Sequence, residues 1–312
     1  MKTFENKTAL VVGGSSGIGL ATARLLAQRG AKVFVLANKG VEQAEAQARD
    51  EGWRLTGFSG DASDAACMKQ VVNDVLNRSA GVHIAVHTAA IHPYGNVMDT
   101  SEETWDQVMA VNLDGVFLTC HEAGRRMAQT GGGSILLTAS MYGLVAAPER
   151  IGYCVSKSGV VMMTKALAIE WAKLGIRVNA IAPGYVHTPF VEALVEQGRL
   201  DLPKLENRTP MGRLISPEEV ADTACFLASD AARDGLVHEL DQCRLANHER
   251  LADELGDELE LVVVDPHEGV GGGGGGGRLG EATVDPLVGL PPRAPVGRRD
   301  DVVVVERPDR AV

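Results

Sequence analysis

The chain has no apolar run long enough to cross a membrane, and its first residues, MKTFENKTALVV, lack the extended apolar core and small-residue cleavage site of a secretory leader. A cytoplasmic protein with no membrane partner is expected. Positive charge is also short: 30 Lys and Arg stand against 41 Asp and Glu, a formal net charge of −11. Gripping a phosphate backbone needs Lys and Arg clustered on one face, so this balance excludes a general nucleic-acid binder and favours small-molecule chemistry. Cysteine is sparse. Cys67, Cys120, Cys154, Cys225 and Cys243 show no CxxC spacing and leave an odd count, which excludes a disulfide framework and fits reduced thiols. Cys154 adjoins Tyr153, yet neighbours on a helix diverge by about 100°, so it is read as a packing thiol. His83, His87 and His92 have no companion Cys or carboxylate at ligand spacing, and no metal site is expected.

What is present, 45% hydrophobic and 23% charged, suffices for a buried core. Short apolar runs alternate with helical stretches: TALVV and a helix from Gly17, KVFVL and VEQAEAQARDE, RLTGFSGD and a helix near 64–78. HIAVH and 101–130, SILLT and 153–173, and finally IRVNAIA continue the rhythm. This predicts an α/β fold, a doubly wound parallel sheet with helices on both faces. Such sheets bind ligands beyond the carboxyl ends of their strands, where strand order reverses. Composition then breaks after about residue 230: the last Lys is Lys204, the last Ile is Ile215, the last aromatic is Phe226 and the last Ser is Ser229. A catalytic domain over 1–235, an atypical helix and strand region over 236–265, and a disordered low-complexity tail over 266–312 are expected. A tail so unlike the body is either an unrelated appendage or the product of a shifted reading frame.

The stretch VVGGSSGIG directly follows the first strand and opens the first helix. Gly13, Gly17 and Gly19 suit a dinucleotide loop, since they leave room for a tight turn, for close approach of backbone to a pyrophosphate, and for helix packed on strand. The phosphate charge would sit at the positive end of the helix. In LANKG, after the second strand, Ala37 stands where a carboxylate would select NAD by bonding the ribose hydroxyls, and Asn38 and Lys39 follow. NADP or NAD is the expected cofactor, with NADP favoured. Asp61, ending the third strand, either accepts a bond from the adenine amino group or caps the next helix.

Four Tyr and nine Lys in 312 residues make a Tyr-x-x-x-Lys pair expected by chance ~0.1 times, yet YCVSK contains one, Tyr153 and Lys157. Ser140 lies at the end of the strand SILLT, Asn112 stands in AVNLDG within a predicted helix, and APGYVHT follows IRVNAI. Together these residues resemble the short-chain dehydrogenase/reductase superfamily in its single-domain form, over about Phe4 to Asp230. The resemblance implies a Rossmann fold and a catalytic tetrad of Asn112, Ser140, Tyr153 and Lys157. It also implies a cofactor held by Gly13, Ser16, Gly17, Ile18, Gly19, Asn38, Asp61, Ala62, Thr88, Ala89, Tyr153, Lys157, Val186 and Thr188, the last two at the nicotinamide. The chemistry agrees. A ketone accepting hydride needs a proton donor, a free phenol near pKa 10 holds its proton too tightly, and an ammonium one helical turn away favours phenolate. Ser140 would bond the substrate oxygen and Asn112 would hold backbone and a water chain. His187 lies beside the nicotinamide contacts, where it touches substrate or sits exposed in a loop.

Two departures from the family pattern stand out. The usual NNAG is His87, Thr88, Ala89 and Ala90 here, which removes amide bonds that tie neighbouring strands. After FLASDAA the expected closing strand is missing, the nearest candidate being LVVVDPHEG at 261–269; either an inserted helix separates that strand from its sheet, or one edge lies exposed. The expected activity is interconversion of a secondary alcohol and a ketone, on a small polar or acyl hydroxy/keto compound of sugar, polyol or 3-oxoacyl type. A homo-dimer or homo-tetramer is expected if the carboxy-terminal edge is intact. The competing expectation is a catalytically impaired nucleotide-binding or interaction protein.

Overall fold

The computed structural model describes residues 3–209 and 211–232, together with the backbone of 260–262. The sequence-based expectations for 233–259 and 263–312 lie outside the described residues. Six parallel strands form the sheet: β1 (Thr8–Val12), β2 (Lys32–Ala37), β3 (Leu55–Ser59), β4 (Ile84–His87), β5 (Gly133–Thr138) and β6 (Ile176–Ala182). Their order is β3-β2-β1-β4-β5-β6, so the direction of winding reverses between β1 and β4. The sequences TALVV and IAVH are buried along their whole length, as strands must be when both faces are covered.

Alternate residues serve opposite layers. Leu10 and Val12 of β1, with Ile135 and Leu137 of β5, pack on α3 (Ala65–Arg78), α5 (Gly115–Thr130) and α6 (Ile151–Trp171) through Val72, Met127 and Val160. Ala9 and Val11 face the other way, onto α1 (Gly17–Gln28), α2 (Val41–Asp50) and α9 (Pro217–Ala228) through Leu26, Ala48 and Leu227. Each large apolar side chain removed from water this way contributes roughly 1.5–3 kcal/mol. At the end of the sheet away from the reversal point, Arg177 of β6 donates to the carbonyls of Leu227 (2.6 Å), Ala228 (3.2 Å) and Ser229 (3.0 Å). A guanidinium there satisfies orphan carbonyls and complements the negative end of α9.

The six parallel strands bear out the expected fold, and one further strand is added at the β6 edge. A seventh strand, β7 (Glu260–Val262), runs antiparallel to β6, pairing Ala180 with Val262 and Ala182 with Glu260. The closing strand thus starts one residue before the expected stretch and is neither separated from the sheet nor absent. The helix expected over 101–130 is also divided. α4 (Glu102–Met109) and α5 flank a π-helical turn over Ala110–Asp114 that contains Asn112. Two further helices, α7 (Pro189–Glu196) and α8 (Leu202–Arg208), follow β6. Among the described residues no helix is long and apolar enough to cross a membrane.

Candidate active site

The glycine loop lies at the reversal point. Gly13 has φ +80°, and a Cβ there would stand 2.5 Å from the Ala89 nitrogen. A Cβ on Gly19 would overlap the Gly13 carbonyl oxygen and approach Thr88 Oγ1 to 2.5 Å. These positions admit glycine only, because turn and helix are packed at backbone contact. Ser16, the exposed N-cap of α1, makes no side-chain capping bond, and Ile18 is half-buried. The α1 amino end and the cradle of bare backbone fit a pyrophosphate. Thr188 closes the loop from the other side, its Cγ2 3.3 Å from where a Gly17 Cβ would be. Its Oγ1 accepts the Val191 amide at 3.3 Å as the N-cap of α7, leaving its own O–H free to donate. Val186 is buried beside it, and a backbone bridge to Ile215 holds this segment.

At the adenosine end, Asn38 and Lys39 are exposed in the loop after β2. Asp61 caps no helix. Its Oδ1 accepts from the amide (2.8 Å) and hydroxyl (2.7 Å) of Ser63, while the N-cap of α3 is Asp64. Ala62 is buried against the π-turn side of Gly115. The lost amides of the NNAG pattern are compensated: Thr88 Oγ1 donates to the carbonyls of Val12 (3.0 Å) and Gly13 (3.1 Å), tying β4 to β1, and His87 Nδ1 bonds Thr119 Oγ1 at 2.8 Å. The three histidines do not converge. His83 Nδ1 accepts the Thr8 amide (3.0 Å), His87 is buried behind the sheet, and His92 faces the cleft. His187 is exposed, 3.5 Å from Glu192.

The tetrad residues gather where β4, β5 and the start of α6 meet. Ser140, just past β5, is buried, accepts the Tyr142 amide at 3.1 Å and is hydrogen-bonded to the Tyr153 phenol. Lys157 lies one turn along α6, fully buried, its Nζ donating to the Thr138 carbonyl at 2.6 Å and standing 5.7 Å from the centre of the Tyr153 ring. Asn112 sits one layer back. Its Oδ1 accepts the Ile91 amide and its Nδ2 donates to the Ile91 carbonyl, both at 2.8 Å, and Nδ2 also reaches Ser156 Oγ at 3.2 Å. Ser156 in turn donates to the Tyr153 carbonyl at 2.9 Å. An i→i+5 turn is the kind of local widening that recurs at functional sites, and here it aims a carboxamide inward.

The expected depression of the Tyr153 pKa is reversed among the protein groups alone. Burial pushes the phenol up to about 12, outweighing the Ser140 hydrogen bond that pulls it down. Burial also brings Lys157 down to about 8. The ammonium is turned to Thr138 and lies by the ring rather than at the oxygen, so desolvation dominates both groups.

Around Tyr153 stands a shell that the sequence did not disclose. His92 stacks on the Tyr153 ring at 3.9 Å between centroids and 18° between planes, with Tyr94 at 4.7 Å on the same imidazole. Burial and the nearby cations hold His92 at about 4, hence neutral. Tyr142 and Tyr185 join hydroxyls at 2.7 Å. All four tyrosines of the chain therefore meet here. Arg150 places its guanidinium 4.8 Å from the Tyr94 ring centre and 4.7 Å from that of Tyr142. The available signal was positional: Tyr94, Tyr142 and Tyr185 each follow the carboxyl end of a strand by a few residues.

Residues 12–235 match the family model described as enoyl-(acyl carrier protein) reductase. The D-threitol dehydrogenase of Mycolicibacterium smegmatis is 38% identical over 231 residues, 73% of this chain and 88% of that protein. The cyclohexanol dehydrogenase of an Acinetobacter species is 38% identical over 236 residues, 73% of this chain and 90% of the relative. Among solved structures, a short-chain type dehydrogenase/reductase from Mycobacterium marinum superposes with TM-score 0.70 at 32% identity, covering 75% of this chain and 92% of the other. A variant of actinorhodin polyketide ketoreductase with NADPH superposes with TM-score 0.69 at 32% identity, covering 74% and 94%. A dinucleotide cradle, a buried Ser-Tyr-Lys cluster and relatives that match over nearly their full length agree: the chain belongs to the short-chain dehydrogenase/reductase superfamily, as an NAD(P)-dependent oxidoreductase acting on CH–OH groups.

Proposed function

We propose that the protein interconverts a small secondary alcohol and its ketone, with Tyr153 exchanging the proton at its Oη. The observation that carries this reading is the Tyr153 phenol hydrogen-bonded to Ser140, with the buried Lys157 beside its ring, next to a loop that only glycine can build. In the oxidising direction Tyr153 takes the carbinol proton while Ser140 holds the carbinol oxygen, and in the reducing direction the same phenol returns it. Lys157 offsets the negative charge that develops on the phenol, and Asn112 positions Tyr153 and the Ile91 backbone through its bonds to Ser156 and Ile91. A nicotinamide dinucleotide supplies the hydride donor or acceptor when bound.

Gly13, Ser16, Gly17, Ile18 and Gly19 would hold the pyrophosphate, Asn38, Asp61 and Ala62 the adenosine, and Thr88 and Ala89 the path between. Tyr153, Lys157, Val186 and Thr188 would hold the nicotinamide riboside. The absence of a carboxylate at Ala37 and the exposed Lys39 favour NADP. The relatives that act on threitol and cyclohexanol support a compact alcohol as substrate. Absorbance at 340 nm with NADPH or NADH and a ketone panel tests the reading: wild type should turn over at least one ketone and Tyr153→Phe should lose about 10²–10⁴-fold in kcat. Wild-type turnover by Tyr153→Phe would overturn it.

We also infer a homo-oligomer. Ile151, Val155, Met162 and Ile169 fall within about 40° of one another on α6 and are all exposed, the last two at 63% and 69%, with exposed Phe117 on α5 adding a further large apolar side chain. Sedimentation equilibrium should report a dimer or larger, and a monomer at micromolar concentration would refute it.

A further inference from the structure

Arg150 has an arrangement that general packing does not require. It is the N-cap residue of α6, three positions before Tyr153, with non-helical backbone. Its guanidinium lies beside the rings of Tyr94 and Tyr142, it is hydrogen-bonded to Tyr185, and its Nε donates to the Pro148 carbonyl at 3.2 Å. Nη1 is sealed from solvent and has no hydrogen-bond partner. A buried guanidinium N–H left unmade is unfavourable by roughly 1–3 kcal/mol or more, so such a group in a cleft wall marks a missing acceptor.

Three further observations point the same way. Glu149, immediately before it, is held at φ +62°, a strained conformation for a non-glycine residue, with its carbonyl accepting the Gly95 amide at 2.9 Å. That strain fixes the entry of α6 and the direction of Arg150. A second guanidinium, Arg199, lies 5.9 Å from the same Tyr94 ring, so two like charges share one aromatic residue. Among the described residues neither arginine forms an ion pair. Asp99, which lines the adjoining cavity with Arg150, lies beyond ion-pair distance and is bonded to Asn96 instead.

We propose that Arg150 anchors a carboxylate carried by the substrate, making the substrate a hydroxy or oxo acid, with Arg199 as the second cation at the mouth. A guanidinium presents an in-plane fork of N–H donors that matches a planar carboxylate. The carboxylate stays unchanged in the reaction: the carbinol carbon loses a hydride, which a bound oxidised nicotinamide would accept, and the carbinol oxygen loses its proton to Tyr153, yielding the oxo acid. This inference rests on the alcohol–ketone reading above and adds the substrate class to it.

The test uses the full chain and matched pairs in which a methyl replaces the carboxylate: 4-hydroxypentanoate against 2-pentanol, and 3-hydroxybutanoate against 2-butanol. A phosphate arm compares glycerol 3-phosphate with glycerol. The wild type should favour each acid over its alcohol by about 10- to 100-fold in kcat/KM, and should not favour the phosphate. Arg150→Met should collapse the acid-to-alcohol ratio mainly through KM, and Arg150→Lys should recover part of it. Because Arg150 also packs beside two rings, wild-type inhibition by butyrate and butyramide provides a measurement free of folding effects, and butyrate should inhibit far more strongly. Equal use of acids and alcohols, equal inhibition by the two probes, or preference for the phosphate would overturn the carboxylate anchor while leaving the oxidoreductase reading intact. Absence of turnover for every pair and the ketone panel with both cofactors would overturn that reading and this inference together.

Discussion

Replacing Lys157 by Met separates the two duties of this residue. The ammonium is buried and its pKa falls from 10.5 to about 8, a difference that corresponds to about 3 kcal/mol of native-state destabilisation below pH 8. Methionine is similar in length and needs no solvation, so the variant is relieved of this penalty. It also leaves the Thr138 carbonyl without its donor, a loss of about 1–3 kcal/mol. At pH 7 the two effects nearly cancel, and the variant should unfold at a denaturant midpoint close to or above that of the wild type. Between pH 8 and 10.5 the unfolded wild-type chain binds more protons at this position than the native one, so wild-type stability rises with pH there and the variant's does not. The wild type should gain about 2–3 kcal/mol on Lys157→Met between pH 7 and pH 10. Shifts common to both proteins, including the Cys120 and Cys225 thiols pushed up to about 12 by burial, cancel in the comparison. Parallel pH dependences would show that Lys157 is solvated in the native state and would refute the reasoning.

Other perturbations probe separate parts of the structure. Gly19→Ala places a methyl on the Gly13 carbonyl and should abolish cofactor binding, as followed by quenching of intrinsic fluorescence; unchanged affinity would show that the cradle relaxes without cost. Arg177→Ala removes three hydrogen bonds to the end of α9 and should lower unfolding free energy by about 2–4 kcal/mol with KM unchanged, since the clamp lies at the opposite end of the sheet from the cleft. His92, held at about 4, is neutral above pH 5, so the profile of kcat/KM between pH 5 and 8 should contain no imidazole inflection. An inflection near pH 6.5 that vanished in His92→Phe would refute the burial argument.

The parts of the site that were legible in the sequence are those written within a few consecutive residues. VVGGSSGIG announces its turn through glycine, and Tyr153 and Lys157 announce a shared face through helical spacing. Ser140 and Asn112 were found by their company, and the structure brings both to Tyr153, though Asn112 acts through Ser156. The Arg150 cage was not legible, because it joins Tyr94 after β4, Tyr142 after β5 and Tyr185 after β6, residues made neighbours only by the strand order. The direction of the Tyr153 shift was missed for a related reason. Spacing discloses that an ammonium is near, whereas burial, which dominates here, belongs to the assembled protein. A strand near 260 was legible as a short apolar run, but its partner and antiparallel direction were not, since such a run specifies neither.

The widened turn at Ala110–Asp114 has a consequence for how this protein can change. One surplus residue offsets the faces of α4 and α5, so the former buries only Val108 and packs on Gly152 of α6, while the latter is committed to the core. Sequence variation over 102–109 can thus retune the wall near Tyr153 without disturbing the sheet. Deleting one residue from 110–114 would restore a uniform spiral, swing Asn112 round by about 100° and unfasten the loop that carries His92.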